Sequence, residues 1–175
     1  SITDSYDLED GIIIDKQLMN HGMVESIDNA KFALFDCDLI IPRFTEGVNV
    51  NFQTGADADA YSQKRKADIV AIGEHLKSLG VNVVIGGKDI DPVLSEYFAR
   101  NDMMAIRRCN ASLLELIAEA TGAMIVSSIG DLESNDLGEC TNISSYTQES
   151  WDKPVLHITG LKDSNRHSVL CTGPS

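Results

Sequence analysis

Residues 67–108, ADIVAIGEHLKSLGVNVVIGGKDIDPVLSEYFARNDMMAIRR, predict a helix, a strand, a second helix and a second strand in that order. Apolar residues recur at helical spacing over residues 69–79, and Gly80 is a typical helix stop. Residues 81–85, VNVVI, then form an apolar run rich in valine. Such a run is typical of a strand that is covered on both faces.

The second half of this stretch carries the start signals of another helix. Asp91 is a natural N-cap, and Pro92 fits the first helical position. Residues 103–106 form the next short apolar strand. Because a helix that joins two parallel strands crosses over with right-handed geometry, we expect a βαβ unit around which the rest of the chain is built.

Further elements are predicted on both sides of this unit. Asn110 is expected to cap a third helix that ends at Gly122, and residues 24–29 read as a polar connector. The remaining predicted strands are residues 11–15, 31–36, 123–127, 155–159 and 168–171. The pattern predicts an α/β fold with a central parallel sheet and a β-rich end.

The first helix of the central stretch extends backward to residue 56 without an intervening proline. A helix over residues 56–79 would be about 36 Å long. Only residues 67–79 carry an apolar stripe, because residues 56–66 read ADADAYSQKRK. A helix half without a core-facing stripe should project from the domain. Residues 44–52 would form an irregular segment that leads out to this helix. The sequence therefore predicts a projecting arm made of this segment and the first half of the helix.

Composition excludes several classes of partner. The chain has 175 residues and a net charge of -13, which disfavours nucleic acid and anionic membrane surfaces. No apolar run approaches the roughly 20 residues that cross a bilayer. The chain does not begin with methionine, and we expect it to be a domain excised from a longer protein.

A search for catalytic and metal-binding patterns identifies no metal site and no catalytic residue. The four histidines do not stand at metal-ligand spacing, and the four cysteines are not paired at C-x-x-C spacing. Unpaired cysteines indicate a reducing, cytoplasmic compartment. Gly86-Gly87 lacks the G-x-G-x-x-G pattern, although a small α/β enzyme using this turn is one alternative. Arg107 and Arg108 end a strand, and one of them is expected to be bonded to nearby carboxylates.

An apolar loop follows the strand at residues 31–36. Leu39, Ile40, Ile41 and Phe44 flank Pro42 and Arg43. Two interpretations are open: these side chains pack beneath the long helix, or they form an exposed apolar patch that binds another protein.

Together these segments resemble the apical domain of group II chaperonins, the archaeal thermosome and the eukaryotic cytosolic CCT complex. The matching segments are DGIIIDK, DNAKFALFDCDL, LGVNVVIGGKDID, MMAIRR, and LIAEATGAMIVSSI followed by DLG. Their order and spacing fit the family over almost the whole chain. The resemblance implies a single apical domain over residues 1–175, with a projecting helical protrusion at about residues 42–66.

The resemblance also implies a function. The parent would be an ATP-driven folding machine of two stacked rings that binds non-native client proteins. ATP and Mg²⁺ would be bound by an equatorial domain, and no cofactor is expected in this fragment. A chaperonin-like scaffold or assembly factor is the second alternative.

Clients would be held between the apolar loop at residues 39–44 and the helix at residues 91–100, which follows the Gly-Gly turn. The implied client-binding residues are Leu39, Ile40, Ile41, Pro42, Arg43, Phe44, Ser95, Glu96, Ala99 and Arg100. On that helix, Val93, Tyr97 and Phe98 are expected to pack inward. The implied lid residues are Val48, Val50, Phe52, Ala58 and Tyr61. The arm tip has few large apolar residues, which weighs against client capture there.

Overall fold

The structure is a computed structural model that describes residues 5–8, 11–40, 55–147 and 153–161. Residues 5–8 and 55–58 are described by their backbone alone. The predicted limb at residues 44–52 and the predicted strand at residues 168–171 lie outside these ranges.

The described residues form one mixed sheet with helices on both faces. The strands are β1 (Ser5–Leu8), β2 (Gly11–Ile14), β3 (Ser26–Phe35), β4 (Val83–Gly86), β5 (Met104–Ile106), β6 (Ile125–Val126), β7 (Gly138–Tyr146) and β8 (Val155–Leu161). The helices are α1 (Gly55–Ser78), α2 (Pro92–Arg100) and α3 (Ala111–Thr121), with two 3-10 turns at Ile129–Asp131 and Ser134–Asp136. The strand order is β1-β2-β8-β7-β3-β4-β5, and β6 pairs with β3.

The parallel part of the sheet confirms the βαβ prediction. β3 pairs in parallel with β4 and β6, and β4 pairs in parallel with β5, whereas the other pairings are antiparallel. Alternate residues of β3 enter two separate cores. Phe32 packs in the same cluster as Ile117 of α3, and Phe35 packs with Leu76 of α1 and Phe98 of α2. The helices α1 and α2 therefore cover one face of the sheet and α3 covers the other.

The helix signals read from the sequence are confirmed. The side chain of Asp91 accepts a hydrogen bond from the amide of Val93 at the start of α2. Asn110 caps α3 in the same way, and Gly122 ends it in a left-handed conformation with φ of 84°. Because glycine has no Cβ, it adopts this conformation without steric cost.

Two predicted strands differ from the observed ones. β3 begins at Ser26, so the predicted polar connector at residues 24–29 is wrong over most of its length. Asn29 has a positive φ of 53°, and the pairing with β7 passes from Asp28 to Ala30 without it. This local irregularity and the polar side chains hide the strand. β6 is only two residues long and half-buried, rather than a buried strand over residues 123–127.

The segment between β2 and β3 covers the free edge of β5. The amide of Met19 donates to the carbonyl of Ala105 at 2.9 Å. The amide of Ala105 donates in turn to the sulfur of Met23 at 3.3 Å. Both backbone groups of Ala105 are thus satisfied, and this part of the edge is closed to pairing with another strand.

Candidate functional site

The helices α1 and α2 lie side by side and run in the same direction, with three contacts spaced along them. Arg65 meets Asp91 at the start of α2, Gly73 lies against Tyr97, and Lys77 donates to Asn101 at 3.1 Å just after α2 ends. This parallel arrangement follows from two successive crossovers of the same hand. The pair joins the helix of the predicted arm to the helix of the predicted client groove.

Asp91 connects three parts of this region. Its Oδ1 accepts from the amide of Val93 at 2.9 Å, and its Oδ2 lies 2.6 Å from a guanidinium nitrogen of Arg65. Its own amide donates to the carbonyl of Leu39 at 2.8 Å. The Asp91 side chain is only 1% exposed, so the ion pair is held in an environment of low dielectric.

Sequence reasoning identified Asp91 as a cap but missed Arg65. A signal was present, because Arg65 stands four residues before Ile69, which is fully buried. Residues four apart lie on the same face of a helix, so Arg65 extends the buried stripe of α1.

Gly73 permits the close contact between α1 and α2. A Cβ built at this buried glycine would lie 2.3 Å from two carbons of the Tyr97 ring. Tyr97 is half-buried, and burial raises the pKa of its phenol, with a further increase from the charge of Glu74. The prediction that Tyr97 packs inward is confirmed in part, because its ring contacts α1 while part of it stays exposed.

Neighbouring residues of the predicted apolar loop differ in their exposure to solvent. Leu39 is 4% exposed and forms a parallel bridge with Ile90, so its assignment to an exposed client surface is wrong. Ile40, the next residue, is 43% exposed. Consecutive residues of an extended chain point in opposite directions, which explains the difference. Ile41, Pro42, Arg43 and Phe44 lie outside the described residues.

The predicted face of α2 needs one correction. Ser95 is 2% exposed and is buried with Leu94 and Phe98, so it does not face a groove. Glu96 and Arg100, four residues apart, are exposed. The solvent-facing side of α2 is therefore polar, as the sequence predicted.

Two further residues lie at the margins of the predicted surface. Ala99 is half-buried, and a Cβ built at Gly22 would lie 3.8 Å from it, which places Ala99 beside the turn that follows β2. Val93, predicted to pack inward, is also half-buried.

The predicted lid residues are described only in part. Tyr61 is half-buried on α1. Ala58 belongs to the helix, but its side chain is not among those described, and Val48, Val50 and Phe52 lie outside the described residues. Their role as lid residues stays a prediction.

The Gly86-Gly87 turn does not fit a nucleotide phosphate. The amide of Gly87 already donates to the carbonyl of Phe35 at 2.7 Å, and the amide of Asp89 donates to the carboxylate of Asp38 at 3.1 Å. A phosphate loop needs amides that point at the ligand. The carboxylates of Asp38 and Asp89 would also repel a phosphate.

Asp89 pairs with both arginines that follow β5, whereas the sequence predicted a carboxylate partner for one of them. Arg108 donates from Nε to one carboxylate oxygen at 2.8 Å and from a terminal nitrogen to the other at 3.0 Å. Arg107 lies 3.6 Å from the same carboxylate. The hydrogen bonds from Arg108 lower the pKa of Asp89, and the charge of Arg107 adds to this effect.

The cysteines in the described part of the chain are Cys37, Cys109 and Cys140, and none of these three is in a disulfide. Cys109 is buried, whereas Cys37 is half-buried. Burial raises the pKa of the Cys140 thiol to about 12. A thiol with such a pKa is almost entirely protonated at neutral pH and is a poor nucleophile.

In the described part of the chain, none of the helices is long and apolar enough to cross a membrane. Within the same residues, His, Cys, Asp and Glu side chains do not gather in groups of three or more that could hold a metal ion.

Comparisons with known proteins identify the family. The model of the TCP-1/cpn60 chaperonin family matches residues 1–175. The thermosome beta subunit of Sulfolobus acidocaldarius is 34% identical, and that of Thermoplasma acidophilum is 31% identical. These matches cover 93% and 97% of this chain but 29% and 31% of the relatives. The chain thus spans about a third of their length.

A solved structure has the same fold. The open-state monomer of a group II chaperonin from Methanococcoides burtonii superposes with a TM-score of 0.64 at 23% identity. The match covers 93% of this chain and 34% of that one. The fold is that of a domain of a group II chaperonin. With the family match and the thermosome relatives, this shows that the chain belongs to the TCP-1/cpn60 chaperonin family, on its group II branch.

Proposed function

We propose that this chain is the apical domain of a group II chaperonin subunit, which binds non-native client proteins and contributes the built-in lid. Neighbouring subunits would form a double ring in the cytoplasm. ATP and Mg²⁺ would be bound by an equatorial domain of the parent protein.

The observation that carries this proposal is the single continuous helix α1. Its rear half is held in the core by Ile69 and Leu76, which are both fully buried. In its front half, the side chains of residues 59–66 are exposed, except for Tyr61 and Arg65, which are half-buried. A rigid rod with one anchored end and one exposed end is a suitable lever for a lid.

The client surface would lie beside this lever. Ile40 supplies exposed apolar area, and the bridge between Leu39 and Ile90 places it near the start of α2. Glu96 and Arg100 supply opposite charges on the exposed side of α2. Charged groups next to apolar area reject segments that lack complementary charge, so this surface would select clients by pattern.

Hydrogen exchange on the full-length protein tests the client-binding role. We expect a chemically denatured client to protect amides at residues 38–44 and in α2, because bound polypeptide shields them from solvent. Amides of β7 serve as the internal reference and should not change. Intact rings that show no such protection would contradict client binding and favour the scaffold alternative.

A matched pair of substitutions sharpens this test. Ile40 and Met124, which are 43% and 59% exposed, are the exposed large hydrophobic residues of the described part. Ile40→Asp should weaken capture of the denatured client about fivefold, the equivalent of about 1 kcal/mol of apolar contact. Met124→Asp makes the same chemical change away from α2 and should leave capture unchanged. Equal losses in both variants would argue against a localised client surface.

A further inference from the structure

A cleft is lined by residues other than those of the proposed client surface. It is a cleft of about 400 Å³ between the segment after β2, the residues after β5 and the residue Lys153 that precedes β8. It shares no residue with the client surface proposed above, so it requires a separate explanation.

The cleft concentrates positive charge in a strongly acidic chain. Lys16, Arg107, Arg108 and Lys153 line it, which is four of the 14 basic residues. Asp15 is the single lining residue among the 27 acidic ones. Even with Asp89 counted as the partner of the arginines, the cations outnumber the carboxylates. A local positive potential within a negative surface attracts and orients anionic groups.

The backbone holds these cations in place. Arg108 has a positive φ of 57°, a conformation that few residues other than glycine adopt. Its amide donates to the carbonyl of Lys88 at 3.0 Å, and its carbonyl accepts from the ammonium of Lys16 at 3.0 Å. Lys16 is thereby fixed at the cleft wall while its ammonium group keeps further donors.

Arg107 is the arginine less engaged by Asp89. Its contact with Asp89 at 3.6 Å is longer than the 2.8 Å contact made by Arg108, and 42% of its side chain is exposed. A guanidinium group binds a carboxylate with two parallel hydrogen bonds when the geometry allows.

The rest of the lining indicates the class of ligand. Leu18 and Met19 contribute half-buried apolar surface beside the cations. An extended polyanion such as a nucleic acid would meet the net charge of -13 outside the cleft. A short segment that alternates acidic and apolar side chains would place carboxylates on the cations and apolar groups on Leu18 and Met19.

The geometry points to a docking site for a short acidic and apolar segment of a partner protein. Its lining residues differ from those of the client surface, so Arg107→Glu and Ile40→Asp test the two sites with different variants. The test uses the full-length assembled protein and a fluorescein-labelled peptide, ELEELE, with binding measured by fluorescence anisotropy. Peptides QLQQLQ and ESEESE remove the charges and the apolar side chains in turn.

We expect ELEELE to bind more tightly than either control peptide. Raising the salt from about 0.01 M to about 1 M shortens the Debye length from about 30 Å to about 3 Å and should weaken this binding. Arg107→Glu should weaken it about tenfold, because it replaces one attraction with a repulsion. Lys66→Glu makes the same charge change on the exposed side of α1 and should leave binding unchanged.

Three results would overturn the assignment. Equal binding of QLQQLQ would show that charge is not recognised, and equal binding of ESEESE would show that apolar groups are not. Equal weakening by Arg107→Glu and Lys66→Glu would show that only the net charge of the protein matters. Lys153→Glu changes a second cation of the lining and should also weaken binding of ELEELE, which a fold change confined to Arg107→Glu would not explain.

Discussion

The two halves of α1 share one backbone geometry but are stabilised in different ways. In the rear half, Ile69, Gly73 and Leu76 are buried against the sheet and α2. In the front half, residues 59–66 contain no buried residue. Alanine, lysine, arginine and glutamine, all good helix formers, predominate there.

This contrast shows how a domain can carry a rigid element beyond its core. An isolated helix as short as the front half of α1 is only marginally stable in water, because forming the first helical turn is costly. The rear half, once packed, provides that first turn, and each further residue then adds a hydrogen bond to a helix that already exists. The front half therefore depends on the rear half, and substitutions in the two halves should have unequal effects.

The largest effect is expected from Leu76→Ala in the rear half. Leu76 is fully buried, so the substitution removes apolar contacts and leaves a cavity. The free energy of unfolding should fall by about 2–5 kcal/mol. Urea denaturation of this 175-residue chain measures the change. Gln63→Ala, at an exposed position of the front half, is the control and should change stability by less than about 0.5 kcal/mol. Similar losses of unfolding free energy in both variants would contradict the view that only the rear half of α1 is anchored in the core.

The same contrast explains how much of the fold the sequence could predict. The apolar spacing of the rear half, together with the caps Asp91 and Asn110, defined the helices and the parallel strands β4 and β5 correctly. These signals are local, because a cap or a stripe is recognisable from its own neighbours in sequence. The first part of β3 was missed because Asn29 interrupts a polar segment whose pairing with β7 depends on residues more than 100 positions away.

The candidate site was predicted less well, because side-chain exposure depends on tertiary contacts. Leu39 and Ile40 are equivalent in a hydrophobic pattern, yet only Leu39 is bridged to Ile90 and buried. Ser95 looks like a surface residue, but α2 packs on both α1 and the sheet and so buries a wider face than its apolar residues indicate. Periodicity gives the centre of a buried face and not its width.

A smaller effect is expected from Arg65, which lies at the boundary between the two halves. Arg65→Met would leave the buried Asp91 carboxylate without its 2.6 Å partner and should cost about 2 kcal/mol. Asp91→Asn removes the charge but keeps a side chain that can cap α2. In a double-mutant cycle, the two substitutions should therefore be strongly non-additive. Additivity within about 0.5 kcal/mol would show that the ion pair does not couple the arm to α2.

The smallest effect is expected in the front half, at the ion pair of Lys64 and Asp68. Their charged groups are 3.5 Å apart, but the side chains are 74% and 55% exposed, so solvent screens the attraction. The basic residue also precedes the acidic one, which is the weaker order on a helix. Lys64→Gln should reduce the local stability of α1, measured by hydrogen exchange, by about 0.3 kcal/mol, and the loss should vanish at high salt. Lys66→Gln removes the same charge at a position with no acidic residue three or four places away, and should have no effect. A loss above about 1 kcal/mol for Lys64→Gln would mean that the front half is held by contacts of its own rather than by the anchored rear half.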